Sequence, residues 1–127
     1  MEFKDNKAIY LQIADYVCEQ ILLGKWKDEG KIPSVRELAI NLEVNPNTVM
    51  RTYELLQNKQ IINNKRGIGF FIDEHAEKNV ISFRKENFVN DDLPAFFRNI
   101  YLLNISFAEL EAKYQQYLKE NFNVTNS

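Results

Sequence analysis

Two helix-start signals lie close together in the middle of the chain, and they constrain its fold more than any other feature. Ser34 and Glu37 have the spacing of a capping box, in which the serine hydroxyl and the glutamate side chain each bond to the other residue's backbone N–H. Asn45 is a typical N-cap residue, and Pro46 suits the first helical position, where its missing N–H costs nothing. The spacing predicts two short helices, the first ending near Glu43, joined by a tight turn. This is the helix-turn-helix pattern.

The second of these helices is expected to have two faces of different character. Residues at helical spacing predict a buried face formed by Val49, Thr52, Tyr53 and Leu56. At about 100° per residue, the opposite face is polar and comprises Asn47, Arg51, Glu54 and Asn58, with Thr48 and Met50 on its flanks. Such a helix packs one side on a core and presents the other side to solvent or to a ligand.

A predicted β-hairpin follows the helix pair. Two β-prone runs occur at 60–63 and 68–72, and the turn between them comprises Asn64, Lys65, Arg66 and Gly67. The first and last turn residues tolerate positive φ, and the two middle ones place two cations at the tip. With a helix expected over 7–23, residues 1–73 are predicted to form a winged helix-turn-helix domain.

Residues 74–127 are predicted to be a helical appendage. Residues 75–89 show only a weak helical period, a second helix is expected to start at 91–94, and Ser106 with Glu109 has the spacing of another capping box. The last two helices carry apolar stripes that include Phe96, Phe97, Ile100, Phe107, Tyr114 and Tyr117. Two short helices cannot cover these side chains, so we expect a two-fold homodimer here, with packing onto the first helix as the alternative. The fold class is therefore mainly α with a small β-hairpin.

Composition narrows the classes of function. The 127 residues carry a net charge of −2, with a slight cationic excess in residues 1–72 and the acidic excess in the tail, and DNA binding needs only a local basic surface. The single Cys18 excludes an intramolecular disulfide, and the single His75 leaves almost nothing for a metal site, so no cofactor is expected. The charged start predicts no signal peptide, and no apolar run approaches the roughly 20 residues of a membrane span. These features favour a cytoplasmic protein.

Four separated blocks have an order and spacing that resemble the GntR family of winged-helix repressors. They read IYLQI at 9–13, GKIPSVRELA at 30–39, VNPNTV at 44–49 and RGIGFFI at 66–72. The resemblance covers roughly residues 8–72. Two departures are Met50, where many members have Arg, and Glu29, where the usual residue before glycine is Pro. The short tail resembles the YtrA-type subfamily, which implies two C-terminal dimerisation helices and a frequent link to operons of ATP-binding-cassette transporters.

Helix geometry and this resemblance together give the expected DNA contacts. They are Ser34, Arg36, Asn45, Asn47, Thr48, Arg51, Lys65, Arg66 and Gly67. In the major groove Arg51 can bond to guanine and Asn47 to adenine, while Thr48 suits a phosphate or a thymine methyl. The resemblance implies a DNA contact for Arg36, at a helix N-terminus that favours phosphate. The hairpin cations are expected at the DNA backbone or in the minor groove.

Each of these contacts has a structural alternative. Arg51 could pair with Glu54 on a solvated helix face, Arg36 could form a salt bridge with a neighbouring carboxylate, and the hairpin cations could serve solubility alone. Tyr53 is expected at the edge of the core, with a phosphate contact by its hydroxyl as the alternative.

The predicted function is sequence-specific transcriptional regulation, with repression as the expected mode. It is expected of a homodimer on a palindromic operator with half-sites about 10 bp or a multiple apart. A winged helix that binds only protein partners is the second hypothesis. Met50 points towards it, and the negative net charge is compatible with it. An enzyme is not expected, because the sequence has no glycine-rich phosphate loop and no Cys/His cluster. A small effector at the dimer contact is left open.

Overall fold

The chain forms two compact units, Met1–Glu86 and the residues from Asn87 onward. A computed structural model describes residues 1–26 and 30–123, and the predicted departure at Glu29 lies outside them. The first unit contains α1 (Ile9–Leu22), α2 (Val35–Leu42), α3 (Pro46–Asn58), β1 (Ile62–Lys65), β2 (Gly69–Ile72) and α4 (Ala76–Asn87). The second contains a π-helical turn (Phe88–Asp92), α5 (Leu93–Leu102) and α6 (Phe107–Phe122). The mainly α fold class with one small antiparallel hairpin is confirmed.

Both predicted starts of the helix-turn-helix are confirmed. Ser34 Oγ accepts from the Glu37 N–H at 3.1 Å, and Glu37 Oε1 accepts from the Ser34 N–H at 3.0 Å, so the capping box is complete. Glu43 ends α2 in the left-handed conformation, with φ 56°. Asn45 then starts α3, because its Oδ1 accepts from the Asn47 N–H at 2.8 Å. These caps satisfy N–H groups that the first turns of both helices leave unpaired.

The core of the first unit is built from all four of its helices. Its fully buried side chains include Ile13, Val17, Leu38, Val49, Tyr53, Leu56 and Ile61. From α4, Ala76, Val80 and Phe83 join the same cluster. The first unit therefore extends to Glu86, beyond residue 73 where the sequence placed its end, because one apolar face of α4 is buried in this core.

α1 begins at Ile9, slightly later than Lys7, where the sequence predicted its start. The reason is the buried side chain of Gln12, which holds the preceding segment in a non-helical path. Its Nε2 donates to the carbonyl oxygens of Lys4 and Lys7, each at 2.7 Å, and its Oε1 accepts from the Lys4 N–H at 2.8 Å. The amide of Gln12 is therefore well satisfied although it is buried.

The hairpin forms, but its strands and turn have other bounds than predicted. Ile62 pairs with Ile72, and Lys65 pairs with Gly69. Asn64 was expected in the turn and instead lies inside β1, so that part of the prediction is wrong. Gly67 does have positive φ, at 78°, as predicted. An isolated antiparallel bridge pairs Lys31 with Phe71, on the edge of β2 that does not face β1. This pairing fixes the segment before α2 against β2.

The second unit consists of helices with little internal burial. α5 begins at Leu93 as expected. The residue before it, Asp92, has helical backbone angles and makes no side-chain capping bond within the described chain. α5 therefore continues from the π-helical turn and has no capped start of its own. Ser106 Oγ accepts from the Glu109 N–H at 3.1 Å and starts α6, which is the serine half of the predicted capping box. None of the described residues from Phe88 to Asn123 is buried.

Candidate nucleic-acid interface

α3 has one buried and one exposed face, as predicted. Val49, Thr52, Tyr53 and Leu56 are all fully buried. The exposed residues include Asn47, Met50, Arg51, Glu54 and Asn58, and Thr48 is half-buried between the two faces. Because α3 is packed on α1 and α2 through its apolar side, Asn47 and Arg51 lie near its N-terminal end on the side that remains accessible.

Arg51 does not pair with Glu54. Among the described residues, the ion pairs within 4.0 Å are Lys7–Asp15 and Glu74–His75. The guanidinium carbon of Arg51 instead lies 3.8 Å from the centre of the Tyr10 ring, in cation–π geometry. Sequence reasoning assigned Tyr10 no role in the site. Its place in the IYLQI block was the available signal.

Arg36 is exposed in the first turn of α2 and is likewise absent from the ion pairs found in residues 1–26 and 30–123. A carboxylate oxygen of the neighbouring Glu37 accepts the hydrogen bond from the Ser34 N–H. Hydrogen bonding from the Ser34 backbone N–H, and secondly from the Ser34 side chain, holds the pKa of the Glu37 carboxyl below its ordinary value. A phosphate at this helix end would therefore be bound mainly by the Arg36 guanidinium, since the carboxylate already uses part of the backbone donor set.

Ser34 and Asn45 have structural duties as caps. In each capping hydrogen bond the side-chain oxygen is the acceptor. The serine hydroxyl hydrogen and the asparagine amide group are chemically able to donate to a phosphate oxygen at the same time. The structure thus places both residues at helix N-termini, Ser34 before α2 and Asn45 before α3.

The wing carries one cation beside its turn and one within the turn. Lys65 is the last residue of β1, and its Nζ lies 4.2 Å from the centre of the Phe71 ring. Arg66 and Gly67 form the turn, which is closed by a 2.9 Å bond from the Ile68 N–H to the Lys65 carbonyl oxygen. A Cβ added at Gly67 would have no heavy atom within 4 Å, so open space surrounds this part of the backbone.

Lys31 is a third cation at the wing, which sequence reasoning missed. Its Cε would lie 3.2 Å from a Cβ added at Gly69, so the missing side chain of this glycine makes room for the lysine stem. The available signal was the block at 30–39, in which Lys31 was assigned no DNA contact. Its position depends on the pairing with Phe71, which local periodicity does not reveal.

Tyr53 connects the helix pair to the wing and is not available to a phosphate. Its hydroxyl donates to the Pro33 carbonyl oxygen at 2.6 Å, and its ring packs edge-on against Phe70 with centroids 4.9 Å apart. Burial is the main cause that raises the pKa of this hydroxyl well above its ordinary value. Of the two sequence hypotheses for Tyr53, the core position is the correct one.

Other kinds of site find little support in residues 1–26 and 30–123. No three His, Cys, Asp or Glu residues there are arranged to hold a metal ion. Cys18 is buried, which raises the pKa of its thiol to about 12. No helix in the same part of the chain has both the length and the apolar character needed to cross a bilayer.

Comparison with known proteins identifies the domain. The model of the bacterial regulatory proteins of the gntR family matches residues 9–72, about half of the chain and the whole stretch from α1 to the end of the wing. The chain belongs to the GntR family. This GntR-family protein is a DNA-binding transcriptional regulator and not an enzyme.

Individual relatives extend the match into the tail. The HTH-type transcriptional regulator YhcF of Bacillus subtilis is 36% identical over 109 residues, 86% of this chain and 88% of YhcF. The transcriptional repressor YtrA of the same organism is 33% identical over 117 residues, 92% of this chain and 86% of YtrA. A crystal structure of a GntR-family regulator from Bacteroides thetaiotaomicron is 50% identical, with a TM-score of 0.74 over 89% of this chain and 98% of that one. The predicted resemblance to YtrA is therefore confirmed.

Proposed function

We propose that this GntR-family regulator is a homodimeric repressor that binds a palindromic operator. In this proposal α3 enters the major groove, Arg36 and the wing contact phosphates on either side, and the second unit holds the two copies together. The observation that carries the proposal is the accessible position of Asn47 and Arg51 on α3, whose opposite face is wholly buried.

Base recognition is assigned to the N-terminal half of α3. An arginine can donate two hydrogen bonds to guanine O6 and N7, and an asparagine can pair with adenine N6 and N7. Asn47 and Arg51 lie one turn apart, so both would face the same short stretch of base pairs. Thr48 is half-buried beside them and has the chemistry for a phosphate or a thymine methyl. Glu54 follows one turn later. Because DNA would repel its negative charge, the helix must be leaving the groove at this point.

Phosphate binding is assigned to groups that flank α3 in the sequence. Arg36, Lys65 and Arg66 are all exposed. Gly67 lets the DNA backbone approach the turn closely, since no side chain covers it. Ser34 and Asn45 are assigned supporting contacts from the donor atoms that their caps leave unused. Such contacts position a protein on the duplex and make its affinity depend on salt.

Dimerisation is assigned to the second unit. Its most exposed apolar side chains are Tyr101 at 81%, Phe107 at 72% and Leu103 at 69% exposure. A helical unit of this size, with no described residue buried, does not have a core of its own, so its stability requires further burial. We commit to a second copy of this chain as the partner. The match to YtrA, which continues into this region, supports a shared use of the tail.

Repression is supported by the name of one relative. YtrA is described as a repressor, and this chain spans 86% of its length. A dimer that covers a palindrome beside a promoter excludes polymerase without further machinery, which suits a chain of this size. A transporter operon is the proposed target class, and it rests on the resemblance of the tail to the YtrA-type subfamily.

Selection from a library of random duplexes tests this proposal. The full chain should enrich an inverted repeat with half-sites about 10 bp or a multiple apart, as two-fold symmetry requires. The matched control is the double variant Arg36→Ala and Arg51→Ala, which should enrich no motif. Placed over a reporter promoter, the enriched repeat should lower expression when the protein is present.

Three results would contradict the proposal. An enriched motif without symmetry would exclude the palindromic dimer. A rise in reporter expression would exclude repression. Retention of duplexes that does not change between low and physiological salt would exclude phosphate binding and favour a winged helix that recognises protein partners instead.

A further inference from the structure

The side chain of Arg51 is held by an aromatic ring that belongs to a different helix. Its guanidinium carbon lies 3.8 Å from the centre of the Tyr10 ring, which is in the first turn of α1. The two residues also share the lining of an open depression on the surface with Ala8, Ile9, Asn47 and Thr48. The proposed base-reading residues of α3 are therefore bordered by the start of α1.

The position of Tyr10 is itself fixed against α3. The buried hydroxyl of Thr52 lies 2.8 Å from the Tyr10 carbonyl oxygen and 3.2 Å from that of Thr48, and it can donate to only one of them at a time. This bond joins α1 and α3 next to the point where the aromatic ring and the guanidinium meet. The ring is thus attached to a rigid part of the first unit.

The consequence for Arg51 follows from the shape of a guanidinium. The N–H groups lie in the plane of the guanidinium, and a guanidinium over the face of a ring uses none of them on an acceptor atom, so they remain able to donate. Its rotamers are restricted before any ligand binds, so less conformational entropy is lost when the N–H groups meet a base. An ion pair with Glu54 would have occupied those donors, and it is not among the ion pairs of the described residues.

We propose that Tyr10 is a positioning residue for base recognition, holding Arg51 in the orientation from which it reads DNA. This inference rests on the proposed function, because it requires Arg51 to contact a base. Tyr10 would add specificity at one position of each half-site and would itself need no contact with the duplex.

The test measures base preference in the full chain with four variants. Tyr10→Leu removes the aromatic ring, Tyr10→Phe keeps it as the conservative control, Arg51→Ala removes the guanidinium, and a double variant combines Tyr10→Leu with Arg51→Ala. For each, the preference at every operator position is obtained from the random-duplex library and from affinities for single-base variants. Tyr10→Met is a second non-aromatic variant if Tyr10→Leu does not fold.

The expected result is a loss confined to one position of the half-site. Tyr10→Leu should reduce by about two- to fivefold the base preference that Arg51→Ala abolishes, the range expected for an exposed cation–π contact. Tyr10→Phe should keep that preference, and Tyr10→Leu should have no further effect when Arg51 is already alanine. The hydrogen bond from the Thr52 hydroxyl to the backbone carbonyl oxygen of residue 10 does not depend on the substituted side chains.

The failures of the two proposals are distinguishable. If Arg51→Ala abolishes a base preference that Tyr10→Leu leaves intact, the positioning role is wrong and the proposed function stands. An equal loss on all duplexes with Tyr10→Leu, or tighter binding, also overturns the positioning role. If Arg51→Ala changes no preference at all, the assignment of Arg51 to base recognition fails, and the inference fails with it.

Discussion

The hydroxyl of Tyr53 donates a 2.6 Å hydrogen bond to the carbonyl oxygen of Pro33. This bond joins the middle of α3 to the segment that precedes α2, and the same ring packs against Phe70 of the wing. One side chain therefore links the helix pair and the hairpin. The relative positions of Arg36, Arg51 and the wing cations depend on links of this kind, because each cation lies on a different element.

Replacing Tyr53 by Phe should destabilise the first unit without removing any exposed charge. The ring would still pack, but the Pro33 carbonyl oxygen would lose its donor, at a cost of about 1–2 kcal/mol in the free energy of unfolding. Urea denaturation measures the change. The control is Ile40→Val on α2, at a side chain that is 69% exposed, which should stay within about 0.5 kcal/mol of the wild type. Equal losses in both variants would show that the buried bond has no special role.

The capping box should give the protein a stability component that is lost in acid. The pKa of Glu37 is lowered in the folded state from an ordinary value of 4.5, first by the hydrogen bond from the Ser34 backbone. A lowered folded pKa means that this component is complete above pH 4.5 and declines as the pH falls through the folded pKa. Glu37→Gln keeps a capping side chain that does not titrate.

The difference in melting temperature between the wild type and Glu37→Gln tests this directly. The wild type should lose stability relative to the variant as the pH is lowered from 7 to 3. A constant difference over that range would mean that Glu37 does not titrate differently in the folded and unfolded states.

The dimer assignment predicts that charge on the exposed apolar face of the second unit separates the copies. The double variant Tyr101→Asp and Phe107→Asp should weaken dimerisation by at least about thirtyfold, the equivalent of roughly 2 kcal/mol for an interface aromatic. Sedimentation over a concentration series measures it. Ile40→Asp, at a 69% exposed apolar residue on α2, is the control and should leave the dimer intact. The assignment is wrong if the control separates the copies and the tail variant does not.

If the wing binds phosphates, removing one of its cations should lower the affinity for DNA by a factor that does not depend on the DNA sequence. Lys65→Ala should weaken binding to an operator and to a scrambled duplex by the same factor, and the slope of log affinity against log salt should fall by about 1. Lys113→Ala removes the same charge from α6 and should change neither quantity. A loss restricted to the operator would instead indicate that Lys65 contacts a base edge.

The sequence predicted those features that depend on local chemistry. The capping boxes, the Pro46 start and the two faces of α3 follow from residues a few positions apart, and their geometry is largely as expected. The family could also be recognised from the sequence, because its blocks coincide with these local signals. Of the expected site residues of α3, Asn47 and Arg51 are exposed where periodicity placed them, and Thr48 is half-buried beside them.

What the sequence did not reveal depends on contacts between distant segments. Lys31 reaches the wing only through pairing with β2, and Tyr10 meets Arg51 only because α1 packs on α3. α4 shows little periodicity, and yet Val80 and Phe83 complete the core. Asn64 was wrongly placed in the turn because asparagine suits a turn by itself, whereas its pairing with Phe70 keeps it in the sheet.

The most direct test of the central claim is the affinity of two arginine variants for a selected operator and for a scrambled duplex. Arg51→Ala should cost roughly 1–3 kcal/mol on the operator and little on the scrambled duplex, while Arg36→Ala should weaken both alike. Arg98→Ala, which removes an exposed arginine from α5, is the control for net charge and should bind as the wild type does. If the protein that lacks both Arg36 and Arg51 binds the operator as tightly as the wild type, recognition through α2 and α3 is contradicted.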